Sequence, residues 1–220
     1  MNITFEQIRK NEDIKTYITK ADESLKALGY TEHSFAHVGK VSEDAAYILT
    51  ALGHDEREVE LAKIAGYLHD IGNLVNRVDH SQSGAVMAFR VLDKLGMPAD
   101  EIATVVTAIG NHDEGTGVPV NPVAAALIIA DKCDVRRTRV RNSDPATFDI
   151  HDRVNYSVER SALSVTEDKT SAVLDLTIDS GISAVMDYFQ IFIGRMQMAK
   201  HAAKALGLDF SLVINGQKLL

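Results

Sequence analysis

The 220 residues are 45% hydrophobic, enough for one sizeable core, and contain neither a membrane-length apolar run nor a secretory leader, so we expect a cytoplasmic protein. The 31 acidic and 23 basic side chains give a formal charge of -8, which argues against binding to extended nucleic acid or to a membrane surface. A single cysteine, Cys133, excludes an internal disulfide and a cysteine-rich zinc site, so any metal must be held by nitrogen and oxygen.

Helical periodicity predicts a mainly α bundle over residues 1–141. One predicted helix opens with Phe5, Ile8, Ile14, Tyr17 and Ile18, and another is marked by Val38, Val41, Ala45, Ile48 and Leu49. Further helices are expected near residues 57–70, 81–95, 99–111 and 120–137, with glycine-containing segments between them.

The pattern changes in residues 142–220, which we expect to form a small ββαβ lobe. Apolar residues alternate at Ala172, Leu174, Leu176 and Ile178, which predicts a strand with one wet face, paired with a strand at residues 163–165. A long amphipathic helix follows and ends at Gly207, and alternation returns from Phe210 to Ile214. The apolar faces of this lobe must be buried on the bundle or on a second subunit, so a homodimer is expected.

The dipeptide His69-Asp70 stands at the end of an apolar helical run. Neighbouring residues on a helix point about 100° apart, so a shared metal near the helix end is one of few reasons to pair two good ligands. His80, His112 and Asp131 also lie at the ends of apolar segments. Helix ends are where a bundle can bring ligands together around one cavity, so the sequence predicts a metal site there.

The chain resembles the HD superfamily of metal-dependent phosphohydrolases, whose pattern is a His, a His-Asp pair and a distant Asp. His37, His69-Asp70 and Asp131 fit this order, and the resemblance covers roughly residues 30–137. The segment His-Val-x-x-Val-x-x-x-Ala from His37 is similar to the family's first ligand helix, which leaves His33 behind the ligands or facing substrate. The resemblance implies a helical HD bundle with a metal site built from these four ligands.

Two further segments resemble HD branches that carry an additional metal. The sequence from His80 to Gly84 is similar to their His-Pro-x-x-Gly segment, and residues 111–119 are similar to the HD-GYP stretch, which implies His80 and His112 as additional ligands. Asn111 and Val118 replace the first His and the Tyr of that stretch, so neither a trinuclear site nor hydrolysis of a cyclic dinucleotide is expected.

Imidazole and carboxylate ligands suit one or two divalent ions of iron, manganese, cobalt, nickel or zinc, and affinity alone does not choose among these. Asp70 is a suitable bridge between two ions about 3.5–4 Å apart that activate a hydroxide against a phosphorus centre. The predicted catalytic residues are Asp70 and His112. The predicted substrate is a phosphoester or phosphoanhydride of a nucleotide-like small molecule.

A cationic segment in this acidic chain suggests where phosphate binds. Five cations lie between Lys132 and Arg141, and they form either a phosphate site or an ordinary face of salt bridges. Asn73 stands where the family commonly has Lys, and Arg77 or Lys132 could take the place of that cation. The predicted substrate-binding residues are His33, Asn73, Arg77, Lys132, Arg136 and Arg137.

Two other functions remain open from the sequence: a non-catalytic HD module that senses a nucleotide or a metal, and oxygen chemistry at a di-iron centre. Three residues also have two interpretations each. His151 either packs between the lobes or contacts substrate, while Asp134 and Arg137 either orient a ligand and bind phosphate or form an ordinary ion pair.

Overall fold

A computed structural model describes residues 3–220 of the chain, so Met1 and Asn2, which belong to the predicted bundle, lie outside the described residues. The fold is a helical bundle followed by a small four-stranded sheet with one long helix. Its elements in chain order are α1 (Phe5–Lys10), α2 (Glu12–Ala27), α3 (Phe35–Leu52), α4 (Glu56–Leu68), α5 (His80–Leu95), α6 (Ala99–Gly110), α7 (Pro122–Lys132), α8 (Ile150–Ser157), β1 (Val158–Val165), β2 (Ser171–Ile178), α9 (Val185–Ala205), β3 (Asp209–Ile214) and β4 (Gln217–Lys218).

Helix α7 is the centre of the bundle. Every residue from Val123 to Ala130 is buried, as expected for a helix that is apolar on all sides, and α3, α4, α6 and α9 pack around it. Asn121 caps its first turn by accepting a hydrogen bond from the backbone N–H of Ala124. The helix expected over residues 120–137 is shorter than predicted. It ends at Lys132, and a short 3₁₀ turn follows at Arg137–Arg139.

The single N-terminal helix expected from residue 5 onward is a wrong prediction, because the structure divides it into α1 and α2. Asn11 between them is extended, with φ -71° and ψ 121°, and its side chain accepts a hydrogen bond from the backbone N–H of Ile14. An Asn that caps a helix stabilises a new start more than it stabilises a helix interior. The apolar residues Ile8, Ile14 and Ile18 are buried as the periodicity predicted.

Two glycines let the elements of the bundle approach closely. A Cβ atom on Gly66 of α4 would lie 2.7 Å from the Cα atom of Ser42 in α3, so only glycine fits where these helices cross. A Cβ atom on Gly72 would lie 2.0 Å from the carbonyl oxygen of His80 at the start of α5. These contacts hold α3, the end of α4 and the start of α5 together, which are the elements that carry His37, His69 and His80.

The C-terminal lobe confirms the predicted strand alternation. Its sheet has the order β1-β2-β3-β4, in which β1 and β2 are antiparallel, β2 and β3 are parallel across α9, and β3 and β4 are antiparallel. Ala172, Leu174, Leu176 and Ile178 are buried, whereas their neighbours on β2 are half-buried. Three features differ from the expected ββαβ lobe: β1 begins at Val158, well before residue 163, the helix α8 precedes it, and the short strand β4 follows β3.

One hydrophobic core extends through the bundle and the lobe, because α9 packs against both α7 and the sheet. The division of the chain at residues 141 and 142 stays a prediction. None of the helices in residues 3–220 combines the length and the apolar character that crossing a membrane requires.

The close crossing of α3 and α4 predicts opposite effects of two Gly→Ala substitutions. Gly66→Ala should lower the free energy of unfolding by about 1–3 kcal/mol, because the new methyl group meets backbone. Gly39→Ala in α3 has open space and should be neutral or raise stability by up to about 1 kcal/mol. Urea unfolding followed by circular dichroism checks both, and equal destabilisation by the two variants would contradict the close crossing.

Candidate metal centre

The predicted ligands lie close together. The ends of four helices and the first turn of a fifth helix, α3, carry them. His37 lies in the first turn of α3, after the helix cap Ser34, so His33 precedes the helix instead of sharing its face. Helix α4 ends at Leu68, which leaves His69 as its C-cap and Asp70 at the start of a 3₁₀ turn, and this confirms that the His-Asp pair stands where a helix stops. The remaining candidates are His80 at the start of α5, His112 just after α6 and Asp131 in the last turn of α7.

All four histidine rings are fixed through Nδ1. His69, His80 and His112 face the backbone carbonyl oxygens of the residues three positions earlier, at 2.7, 3.1 and 2.6 Å. The Nδ1 atom of His37 lies 2.7 Å from Oδ2 of Asp134. Each Nδ1 atom thus has an acceptor outside the centre, so Nε2 is the ring atom that each histidine directs into the centre.

The carboxylate of Asp70 lies between two groups of these nitrogen atoms. Its Oδ2 atom is 3.6 Å from Nε2 of His37 and 3.4 Å from Nε2 of His69, which are also 3.4 and 3.7 Å from Oδ1 of Asp131. Its Oδ1 atom is 3.4 Å from Nε2 of His80. Asp70 therefore directs one oxygen toward each group, which is the geometry of a bridging carboxylate.

The buried polar atoms of this centre fit a cation. Neither Nε2 of His37 nor Nε2 of His69 has a hydrogen-bond partner within residues 3–220, although both are buried. The Nε2 atoms of His80 and His112 are 3.2 Å apart, close enough for both to bind one ion. Buried polar atoms without partners are costly, and metal coordination would satisfy these.

Burial and the two carboxylates set the protonation of the rings. Burial lowers the pKa of His112 to about 3 and also lowers the pKa of His80, so both are neutral ligands at pH 7. Burial alone would lower the pKa of His69, but Asp70 and Asp131 outweigh it and raise it to about 10. Burial opposes ionisation of Asp70 too, yet the facing His69 holds the pKa of that carboxyl well below its usual range.

The comparison with known families decides what kind of fold carries this centre. The HD domain profile matches residues 34–136, which include all six candidate ligands. Residues 34–136 are an HD domain. His and Asp side chains in this domain form clusters that could hold a metal, and His37, His69 and Asp70 are one of them. The domain and these clusters support a metal-dependent HD hydrolase as the general class. They do not choose a substrate or a metal.

Two proteins are similar to this chain. An uncharacterized protein of Methanocaldococcus jannaschii is 24% identical over 208 residues, covering 83% of this chain and 80% of its own. A predicted HD superfamily hydrolase from an uncultured Thermotogales bacterium, known from a crystal structure, is 26% identical, with a TM-score of 0.45 over 60% of this chain and 73% of its own.

A cavity of about 390 Å³ adjoins the HD centre. His33 and Arg77 line it, the His33 ring centroid is 5.4 Å from that of His37, and Nη1 of Arg77 is 3.9 Å from Oδ1 of Asp70. His151 and Arg195 line it from the C-terminal part of the chain. The cavity therefore lies beside Arg77 of the HD domain, between the segment before α3 and the residues that follow the domain.

The other predicted substrate-binding residues are held by protein groups. Lys132 is buried and bonded to Asp131 at 2.7 Å, and the Nδ2 atom of Asn73 donates to Oδ1 of Asp70 at 2.8 Å. Arg136 is paired with Asp134, and Arg137 donates to the carbonyl oxygen of Tyr156. Neither Arg136 nor Arg137 is among the residues that line the cavity, so the geometry favours the salt-bridge interpretation of the cationic segment.

Asp134 is a positioning residue for the HD centre. It is completely buried, binds His37, and is held in turn by Arg136 and by Arg139 at 3.6 Å. Burial would raise the pKa of Asp134, but the His37 hydrogen bond and the two guanidinium groups outweigh it and lower that pKa. Asp134 thus both orients the ring and forms ion pairs, so the two interpretations of this residue describe one network.

Asp134→Asn should weaken divalent-metal binding by about 10- to 100-fold, because an amide cannot hold the proton of His37 as a carboxylate does. Asp44→Asn on the same α3 helix, where the carboxylate pairs with the half-buried Lys40 and with none of the candidate ligands, should leave binding unchanged. Calorimetric titration of metal-free protein with Mn²⁺ checks both. Equal affinities for the Asp134 variant and the native protein would refute the positioning role.

Proposed function

We propose that this protein is a phosphohydrolase that uses two divalent metal ions to cleave a phosphoester or phosphoanhydride of a small molecule. The observation that carries the proposal is the position of Asp70, whose two carboxylate oxygens face two separate groups of histidine Nε2 atoms. Hydrolases of phosphate esters use two adjacent ions with a bridging ligand in this way. A sensing module has no chemical need for a bridging position.

The proposed ligands divide into two sets that share Asp70. One ion would be held by His37, His69, Asp70 and Asp131, and the other by Asp70, His80 and His112. The bound ions would lower the pKa of a water ligand and offset the charge of a phosphoryl group. Nitrogen and oxygen donors admit iron, manganese, cobalt, nickel or zinc, and the native ion stays a prediction.

Asn73 and Arg77 lie beside Asp70, and Arg77 also lines the cavity. Asn73 donates to Oδ1 of Asp70, which fixes the orientation of the bridging carboxylate. Arg77 is three-quarters buried, and its Nη1 atom contacts Oδ1 of Asn73 at 3.3 Å. A guanidinium group beside the ions can bind the phosphoryl oxygens, so we assign to Arg77 the cationic role that family relatives give to Lys at the Asn73 position.

The dimensions of the cavity support a small-molecule substrate. A volume of about 390 Å³ lies in the usual range for a ligand of nucleotide size, and the net charge of -8 disfavours extended nucleic acid. A nucleotide-like substrate, a cytoplasmic location and a homodimer belong to this proposal as well.

Hydrolysis should depend on metal and on the shared carboxylate. Mn²⁺-loaded protein should cleave members of a panel containing p-nitrophenyl phosphate and nucleoside mono-, di- and triphosphates, and a chelator should abolish the activity. Asp70→Asn should lower kcat/KM by at least about 100-fold, equivalent to about 2.7 kcal/mol. The variant removes a charge that both ions would share, so the bound metal measured by elemental analysis should fall with it.

Asp175→Asn is a suitable control, because Asp175 lies on the sheet in an exposed pair with Arg160. It should keep native activity and native metal content. Tight metal binding without hydrolysis of any member of the panel would reject the enzyme and favour the sensing module.

A further inference from the structure

The C-terminal helix contributes a cation to the cavity beside the HD centre. Arg195 of α9 lines this cavity together with Arg77 and Arg139. It lies outside the HD domain, and its own contacts are with Glu114 and Phe192, not with any of the six candidate metal ligands. Arg77, in contrast, contacts His80 at 3.4 Å and approaches Asp70. The guanidinium groups of Arg77 and Arg195 therefore lie in different parts of one cavity.

Arg195 is held in place but keeps free donors. Its Nε atom donates to Oε1 of Glu114 at 3.0 Å, and its guanidinium carbon lies 4.8 Å from the centre of the Phe192 ring. Within residues 3–220 neither of its terminal nitrogen atoms donates a hydrogen bond to another side chain or to a backbone carbonyl. A planar guanidinium oriented in this way is suited to bidentate binding of a phosphate group.

The free donors of the cavity belong mainly to Arg195. Three guanidinium groups line it, but Nη1 of Arg139 donates to the carbonyl oxygen of Asp134 at 2.9 Å and Nη1 of Arg77 to Oδ1 of Asn73 at 3.3 Å. Two carboxylates, Asp149 and Asp152, also line the cavity; Asp149 caps α8 and Asp152 accepts from Asn142 at 3.4 Å. Within residues 3–220, Arg195 is thus the lining arginine with both terminal nitrogen atoms available to an anion.

We propose that Arg195 binds a second phosphate group of the substrate, so that helix α9 completes the substrate site of the HD domain. The inference rests on the proposed function, because the first phosphate is the one that the metal centre and Arg77 would hold. It narrows the substrate class to compounds with at least two phosphate groups, such as a diphosphate or a bisphosphate. It also gives the C-terminal segment a role in substrate selection.

Calorimetric binding of inorganic phosphate and of imidodiphosphate, which has two phosphoryl groups and resists hydrolysis, tests the proposal. Native Mn²⁺-loaded protein should bind imidodiphosphate at least about tenfold more tightly than phosphate, as expected for one further charge-assisted contact. Arg195→Gln should remove this preference while phosphate binding is retained. Arg77→Gln should weaken the binding of both probes.

Two variants separate substrate binding from a structural role of the Arg195 side chain. Glu114→Gln removes the ion-pair partner but keeps the guanidinium group, so the preference for imidodiphosphate should persist. Arg160→Gln removes an exposed cation of β1 away from the cavity and should behave like the native protein. Thermal unfolding by circular dichroism confirms that each variant is folded.

The proposal is overturned if Arg195→Gln keeps the preference, or if it weakens phosphate and imidodiphosphate equally. A hydrolysis assay of the Mn²⁺-loaded protein distinguishes this failure from failure of the proposed function. If the protein hydrolyses nothing but the preference still depends on Arg195, the hydrolase proposal fails and the second phosphate site stands. If hydrolysis is metal-dependent but Arg195→Gln changes the binding of neither probe, the hydrolase proposal stands and the second phosphate site fails.

Discussion

The convergence of four histidine Nε2 atoms and two carboxylates in a buried space is the constraint on which the rest of the structure depends. Each ring is held through Nδ1 by an acceptor outside the centre, so its Nε2 atom faces the other ligands. Such an arrangement is costly without cations and stabilising with them. Helix ends, glycine contacts and the buried ion pairs around Asp134 all serve to hold it.

The same constraint explains why the bundle is packed so closely here. Gly66 lets α3 and α4 cross at van der Waals distance, and Gly72 lets the turn after Asp70 lie against α5. A ligand set spread over five elements needs each of them in its place, because coordination tolerates errors of only a few tenths of an ångström. The apolar helix α7 supplies the common support, and Asp131 is in its last turn.

The ligand set is implied by the resemblance to the HD superfamily, whereas the local setting of several ligands can be predicted from the sequence itself. Three of the four histidine rings bind carbonyl oxygens three residues earlier, and His69-Asp70 occupies a helix end that periodicity alone locates. The contacts of Arg195 and the pairing of Asp134 with His37 are not predictable in this way, since they join residues far apart in the chain. They depend on how α9 and the segment after α7 pack, which no local pattern encodes. The break at Asn11 leaves a trace in the sequence, because Ile8 and Ile14 are six residues apart and would lie about 240° apart on one continuous helix.

An HD domain thus carries the candidate metal centre, and the C-terminal segment lines the adjacent cavity. We propose that Asp70 bridges two ions at this centre. A crystal structure of Mn²⁺-loaded protein, with the ions located by anomalous scattering, is the test. Two ions about 3.5–4 Å apart are expected, each bound by one Asp70 oxygen. A single ion, or two ions of which Asp70 binds only one, would contradict it.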